Sequence, residues 1–448
     1  MTQSTGMRLG FVPLARSTFD VALANRVIDQ VCSRLEGAGF SLTGPQQWIS
    51  NVADASEVAQ RLADDPPDLL LVLQATFADS TMVTTLAQAV DAPLLIWAVP
   101  EARTGGRLRL NSLCGINLAA HALKRAGRRY DHLYAAPEDP DALEKVRTLA
   151  LAGRVRRLLR RARIGRIGEH PSGFDSCKLD RPALKHRFGL KVVQIELDTV
   201  FQGAQTVEPR EVDAVLQDLS HRLDELELLD RTAMRGTLAA YLTMQRLAEQ
   251  EELDGLAVRC WPEFFTELGC AACGAMSMLS DELVPCSCEA DVNGTITQLI
   301  LQWLSGTPAF GTDLVSADVD EDVAVLWHCG LAPLSMADPA TRPRGTIHSN
   351  RHLPLLMEFP LRPGRVTVAR LSEANGDYRL IVGEGEMLRA PLSFSGTSGV
   401  LRFERPVGEV LDVILDEGLE HHLSVTYGDC VPALLALSEM LELPVLRL

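Results

Sequence analysis

Residues 259–330 read RCWPEFFTELGCAACGAMSMLSDELVPCSCEADVNGTITQLILQWLSGTPAFGTDLVSADVDEDVAVLWHCG and carry most of the candidate chemistry of this chain. Glu289, Asp313 and His328 each lie at the end of an apolar run, beside small or turn-forming residues. That placement is typical of side chains that point into a cleft from strand ends. The His421–His422 pair near the C-terminus is a fourth candidate.

Length and composition indicate a globular protein of several domains. At 448 residues the chain exceeds one ordinary core, so two or three domains are expected. A net charge of -16 argues against nucleic acid as the main partner, because phosphate binding needs a positive field. Neither a signal-peptide pattern nor an apolar run of the roughly 18 residues that cross a bilayer is present, which predicts a cytoplasmic protein with no membrane partner. The ten cysteines are then expected to be free thiols.

Residues 1–160 and 161–330 alternate strand and helix signals. In the segments at residues 68–73 and 93–99, the residues after the turn residues Asp68 and Pro93 are continuously apolar, as strands buried on both faces of a parallel sheet are. The sequence therefore predicts an α/β protein with two Rossmann-like, doubly wound domains. The strand ends carry no glycine-rich nucleotide motif, so no nucleotide is indicated.

Residues 154–166, RVRRLLRRARIGR, are rich in arginine. A nucleic-acid arm and a linker helix with a basic solvated or subunit-facing side both explain such a run. The acidic charge of the whole chain favours the linker helix.

Residues 331–448 predict a small β-rich C-terminal domain. Short alternating strands are expected near residues 365–371, 378–382 and 401–404, and Asn375-Gly376 indicates a hairpin turn between the first two. A helix near residues 432–442 and a last strand complete the prediction.

Two carboxylates and one or two imidazoles from separate strand ends favour Mn²⁺, with Mg²⁺, Co²⁺ or Fe²⁺ as alternatives. Spacing alone also allows Glu289 and Asp313 to be helix N-caps or solvated loop acids, and His328 to be a core residue. A competing site is structural zinc, held by the thiols of Cys270, Cys273, Cys286 and Cys288. The helix-like setting LGCAACGAMSML argues for buried free cysteines instead.

Three segments resemble known sugar isomerases. Residues 288–314, CEADVNGTITQLILQWLSGTPAFGTDL, are similar to the core of L-fucose isomerase, and residues 420–445 are similar to its closing segment. WHCG and EHH resemble histidine positions of the more distant L-arabinose isomerases. Residues 108–123, LRLNSLCGINLAAHAL, resemble a segment that these isomerases place near the substrate of a neighbouring subunit.

The resemblance implies a metal-dependent aldose–ketose isomerase that acts on a free, 6-deoxy or C6-modified sugar through an enediol. Glu289 and Asp313 would then be acid/base groups and metal ligands, with His422 and His328 as further ligands. The resemblance further implies a homo-oligomer, with a trimer or hexamer expected. The strand-end loops and the segment at residues 108–123 supply the candidate substrate contacts, which are Arg16, Phe19, Asn111, Phe174, Trp261 and Glu263.

Two alternatives stay open from the sequence. Two α/β domains beside a cleft also describe a non-catalytic sugar-binding or sensing protein. A third interpretation keeps the isomerase but makes the sugar anionic at C6, as a phospho- or sulfo-sugar is. Arginines in the strand-end loops would bind the anion, although surface salt bridges are their more ordinary role; the arginines are Arg16, Arg103, Arg107 and Arg109.

Overall fold

The computed structural model describes residues 6–45 and 47–448. The chain divides into two compact units, Met1–Leu158 (unit 1) and Leu159–Leu448 (unit 2). The first division lies close to the predicted boundary at residue 160. A further boundary at residue 330 stays a prediction.

Unit 1 alternates strands and helices, as the apolar runs predict. Its elements are β1 (Arg8–Leu14), α1 (Val21–Gly37), β2 (Ser41–Thr43), α2 (Val52–Asp64), β3 (Leu69–Gln74), α3 (Thr81–Ala89), β4 (Leu94–Ala98), α4 (Ser112–Arg125), β5 (Asp131–Tyr134) and α5 (Pro140–Leu159). The strands form one parallel sheet in the order β2-β1-β3-β4-β5. Every residue of β3 and β4 is buried, which explains why these strands are apolar except for Gln74 at the end of β3.

A glycine allows α5 to approach the start of β3 closely. A Cβ atom added at Gly153 would lie 1.9 Å from the carbonyl oxygen of Asp68, which is backbone and has little freedom to move. We therefore expect Gly153→Ala to lower the free energy of unfolding by about 1–3 kcal/mol, measured by urea denaturation. Gly37→Ala in α1 is the matched control, because nothing lies within 4 Å of its added Cβ. Equal urea midpoints for the two variants would contradict this packing.

Unit 2 begins with a second, smaller parallel sheet. Its elements are β6 (Arg163–Ile167), α6 (Arg181–Phe188), β7 (Lys191–Ile195), α7 (Leu197–Thr206), α8 (Pro209–Arg222), α9 (Arg231–Gln250), β8 (Gly255–Val258), α10 (Glu263–Thr266), α11 (Cys273–Asp281), β9 (Cys286–Ser287) and α12 (Val292–Ser305). The strand order is β7-β6-β8-β9. The helical segment between β7 and β8 is divided into α7, α8 and α9. Pro209 starts α8, and a 3₁₀ turn at Leu226–Leu228 precedes α9.

The rest of unit 2 is a mostly antiparallel sheet. Its elements are β10 (Phe310–Asp318), β11 (Val323–His328), β12 (Arg344–Thr346), β13 (Leu356–Pro360), β14 (Gly364–Ala374), β15 (Asp377–Leu388), β16 (Thr397–Phe403), α13 (Val407–Asp416), β17 (His422–Tyr427), α14 (Val431–Leu441) and β18 (Val445–Arg447). The order is β12-β13-β16-β11-β10-β17-β14-β15-β18, and an additional β15–β16 pairing joins six of the strands into a barrel-like ring.

The predicted class is confirmed at the level of two parallel α/β sheets followed by a β-rich C-terminal part. The hairpin at Asn375-Gly376 connects β14 and β15, as predicted. The arginine-rich residues 154–166 end α5 and enter β6. Within the described ranges, no helix combines the length and apolar character that crossing a membrane requires. The doubly wound description stays a prediction.

Candidate functional site

Glu289 lies at the carboxyl edge of the second parallel sheet. It follows β9 in a 3₁₀ turn, Cys288–Ala290, and its own backbone is left-handed with φ 58°. Trp261 follows the neighbouring strand β8 at the same edge, where parallel strands end together. The indole N–H of Trp261 donates to Oε1 of Glu289 across 3.1 Å.

Asp313 and His422 are brought together by strand register. β10 and β17 are antiparallel, and Asp313 is paired directly with His422 across them. Directly opposed residues on one face of such a pair have neighbouring side chains. His422 Nε2 accordingly lies 3.7 Å from Oδ1 of Asp313.

Glu289 reaches the same two histidines. His422 Nε2 lies 3.9 Å from Oε2 of Glu289, and His421 Nε2 lies 3.1 Å from that oxygen. The ring centroids of His421 and His422 are 4.0 Å apart. Residues 289, 313 and 422 of the sequence-predicted site therefore meet around one imidazole nitrogen in unit 2.

A buried carboxylate orients His422. Oδ2 of Asp291 lies 3.0 Å from His422 Nδ1, and the Asp291 side chain is only 1% exposed. An ionised carboxylate can only accept, so Nδ1 donates to Asp291, and Nε2 faces Glu289 and Asp313. Metal-ligating histidines are held by this kind of outer partner.

Asp291 is held in turn by Arg370 and by α12. Arg370 Nη1 donates to Oδ2 of Asp291 at 2.5 Å, and its Nη2 donates to Oδ1 at 3.2 Å. Oδ1 also accepts from the backbone N–H of Gly294, which makes Asp291 the N-cap of α12. The N-cap interpretation of Glu289 is therefore wrong: the capping acid is two residues further on.

The electrostatics keep Glu289 ionised. Burial alone would raise the pKa of Glu289, but the hydrogen bond with His421, the charge of His422 and the indole N–H of Trp261 together lower that pKa. For His421 burial alone would lower the pKa, whereas its contact with Glu289 and the charge of Asp313 raise it. An ionised carboxylate beside imidazoles is suited to binding a cation or to accepting a proton.

His328 lies on the far side of His422. Its ring is buried at 4% exposure, and its centroid is 6.1 Å from that of His422. The backbone N–H of Cys329 is 2.8 Å from His328 Nδ1, which uses that nitrogen as an acceptor. The structure thus brings His328 next to the group without placing a ring nitrogen on its carboxylates, and a ligand role for His328 stays a prediction.

Comparisons with known proteins identify the family of this chain. The family model of the fucose/sulfoquinovose isomerase N-terminal domain matches residues 10–160, and that of the L-fucose isomerase C-terminal domain matches residues 358–448. A sulfoquinovose isomerase of Alkalicoccus urumqiensis is 31% identical over 439 residues, covering 98% of each chain. One from Priestia aryabhattai is 30% identical over 436 residues, covering 97% of each chain. The chain belongs to the fucose isomerase-like family.

As a member of this family the chain is an aldose–ketose isomerase. The sequence also allowed a non-catalytic sugar-binding protein, and the full-length match to isomerases argues against that alternative.

Four residues of the site were not assigned a role from the sequence of this fucose isomerase-like chain: Cys177, Asp291, Arg370 and His421. Ligand atoms of Cys177, Glu289, His421 and His422 all lie within 4.8 Å of one another. The EHH segment pointed to the His421–His422 pair, but the resemblance gave a ligand role only to His422. Asp291 lies two positions from Glu289 and directly precedes α12, so the available signal was an acidic residue at the position of a helix N-cap. Neither Cys177 nor Arg370 stands in a motif that could have identified it.

The predicted substrate residues of unit 2 lie near the site with different partners. Phe174 packs edge-on against Trp261, with centroids 5.3 Å apart, and against His421 at 5.9 Å. Glu263 is turned toward Arg259, whose Nη2 lies 2.6 Å from Oε1 of Glu263. Phe174 and Trp261 therefore form an aromatic wall beside Glu289, while Glu263 is engaged in an ion pair.

The predicted substrate residues of unit 1 lie in loops after β1 and β4. Arg16 forms an ion pair with Asp79, and the ring of Phe19 lies 6.2 Å from that of Phe77. Asn111 has a left-handed backbone at the start of α4, and its N–H donates to Oε2 of Glu101 at 2.8 Å. Their roles as substrate contacts stay predictions.

The zinc alternative is wrong. Among residues 6–45 and 47–448, the cluster of potential metal ligands includes Cys177 but none of the four cysteines proposed for zinc. Cys288 instead contacts Cys260, with their sulfur atoms 2.7 Å apart. Cys270 and Cys286 are buried free thiols, and burial raises the pKa of each.

Proposed function

We propose that the chain isomerises a C6-sulfonated aldose of the sulfoquinovose type to its ketose, with a divalent metal ion held by Glu289, Asp313 and His422. The observation that carries the proposal is that Glu289 Oε2 and Asp313 Oδ1 lie 3.9 Å and 3.7 Å from His422 Nε2. The sulfonated substrate is supported by relatives that span almost the whole chain and are named sulfoquinovose isomerases. This is the anionic-sugar alternative of the sequence analysis.

The residues present fit a metal ion. Oδ1 of Asp313 is buried and has no hydrogen-bond partner among the residues that the structure describes, which is costly unless an external group satisfies it. His422 Nε2 lies 3.7 Å from that oxygen. Burial raises the pKa of the Cys177 thiol, so Cys177 stays protonated and is a poor ligand. Carboxylate and imidazole without thiolate favour Mn²⁺, with Mg²⁺, Co²⁺ or Fe²⁺ as alternatives.

The chemistry requires a base and an acid beside C1 and C2 of an open-chain sugar. Glu289 is ionised and takes the C2 proton, which is then returned to C1 of the enediol. Asp313, whose Oδ1 lies 3.7 Å from His422 Nε2, moves the proton between the O1 and O2 hydroxyl groups. A bound divalent ion supplies Lewis-acid stabilisation of the charge that develops on the sugar oxygens. The rings of Phe174 and Trp261 exclude water from one side of Glu289.

Chelation tests the metal requirement. We expect dialysis against EDTA to abolish conversion of sulfoquinovose to its ketose, and added Mn²⁺ to restore it, because the divalent ion would offset the negative charge that develops on the enediolate. Ketose formation in D₂O, with deuterium at C1 of the product, is the measurement. Protein dialysed without chelator is the control. Full turnover by protein freed of divalent metal would contradict the proposal. A trimer or hexamer stays a prediction.

A further inference from the structure

Arg351 presents a guanidinium group at the aromatic wall of the site. Its Cζ lies 4.9 Å from the ring centroid of Trp261 and 5.2 Å from that of Phe265. Nη1 is 3.5 Å from Nε2 of His348, whose ring packs edge-on against Phe265. These contacts hold the cation in place through the faces of two rings.

The charge of Arg351 is not neutralised by the protein. Among the residues that the structure describes, no carboxylate lies within ion-pair distance of its guanidinium. Neighbouring arginines differ in this respect, since Arg259 is bound by Glu263 and Arg370 by Asp291. A guanidinium has five N–H donors, and ring stacking uses its face, so the donors along its edge are available to an external anion.

One indole ring separates this cation from Glu289. The same Trp261 that lies 4.9 Å from Arg351 donates from Nε1 to Oε1 of Glu289 at 3.1 Å. An extended six-carbon sugar spans about 6 Å between C1 and C6, from ordinary carbon–carbon bond lengths. A sugar whose C1–C2 end lies at Glu289 can therefore extend along Trp261 and bring a C6 substituent to Arg351.

We infer that Arg351 binds the C6 sulfonate of the substrate and selects anionic over neutral aldoses. This inference rests on the proposed function. A sulfonate offers three acceptor oxygens, two of which match the paired N–H groups of a guanidinium edge. The chain thereby recognises the two ends of the sugar separately, with the acid/base carboxylates at C1–C2 and one stacked arginine at C6.

Kinetics of Arg351→Met on matched sugars test the inference. For sulfoquinovose we expect KM to rise and kcat/KM to fall by about 10- to 100-fold, the usual effect of losing a charged hydrogen-bond pair. For quinovose, which lacks only the sulfonate, kcat/KM is expected to stay within about 3-fold of wild type because uncharged C6 loses no such pair. Arg362→Met is the control, since Arg362 stacks on Tyr427 at 4.1 Å in the same unit.

Equal losses on the two sugars would assign Arg351 a structural role and overturn the inference, as would unchanged kinetics on sulfoquinovose. If the methionine variant does not fold, Arg351→Lys is the second variant, because it keeps the positive charge but lacks the paired N–H groups of a guanidinium. An intermediate loss of kcat/KM confined to sulfoquinovose supports the inference. If wild type does not isomerise sulfoquinovose, the proposed function fails. Calorimetry with the sulfonated alditol and its unsulfonated counterpart then decides separately: tighter binding of the sulfonated compound that Arg351→Met removes supports the inference, and equal binding overturns it.

Discussion

Glu289→Gln is expected to lower kcat by about 10²- to 10⁴-fold, the usual contribution of a positioned acid/base group. The substitution preserves the shape of the side chain and leaves one oxygen for the indole N–H of Trp261. It removes the negative charge that His421 and His422 contact, so the C2 proton has no acceptor. Steady-state kinetics with saturating Mn²⁺, together with deuterium incorporation at C1, measure the loss.

Metal content separates two explanations for a loss at Glu289. Bound manganese should be measured after dialysis, because Glu289 is proposed as both a ligand and a base. Loss of deuterium exchange in variant protein that is fully loaded with metal assigns the proton transfer to Glu289. Glu282→Gln is the matched control: Glu282 Oε1 accepts from the Tyr241 hydroxyl at 2.5 Å in the same unit, outside the metal cluster. Full turnover by Glu289→Gln would refute the acid/base assignment.

Arg370→Met is expected to lower the free energy of unfolding by about 3–5 kcal/mol, as breaking one partner of a buried ion pair does. The side chains of Arg370 and Asp291 are 0% and 1% exposed. Burial would raise the pKa of Asp291, and the charge of Arg370 is the main reason why that pKa instead lies well below its usual range. Without Arg370 the ionised carboxylate is buried and uncompensated. Urea denaturation is the measurement.

A control on the same strand isolates the effect of burial. Arg365 pairs with Glu384 at 2.5 Å, but its side chain is 38% exposed, so Arg365→Met should cost at most about 1 kcal/mol. The double variant Arg370→Met with Asp291→Asn removes both charges and is expected to be more stable than Arg370→Met alone. Equal free energies of unfolding for Arg370→Met and Arg365→Met would contradict the larger contribution to stability that we expect from the buried ion pair. Weaker metal binding is a second expected result, because Asp291 orients His422.

Much of the architecture could be predicted because it depends on local pattern. Residues 69–73 and 94–98 are apolar at every position, and both lie in inner strands of a parallel sheet buried on two faces. Asn375-Gly376 specifies a hairpin because its residues tolerate left-handed backbone.

The site was predictable only in part. Glu289 and Asp313 were identified through their resemblance to isomerases, since two acids 24 positions apart form no motif. Apart from that resemblance, the sequence does not show how the roles of the two nearby carboxylates Glu289 and Asp291 differ. The 3₁₀ turn, in which Glu289 has a left-handed backbone, decides their different positions. Glu289 faces His421 and Nε2 of His422, while Asp291 contacts Nδ1 of His422, caps α12 and binds Arg370.

The sequence by itself determined the alternation of strands and helices, the turn positions and a supply of carboxylates and imidazoles at strand ends. Those features follow from side-chain periodicity and backbone preference, which act over a few residues. Only the tertiary structure decided that residues 289, 313 and 422 meet, because the register that pairs Asp313 with His422 is set between strands far apart in sequence. The same is true of Arg351, whose proximity to Trp261 arises from chain segments 90 positions apart.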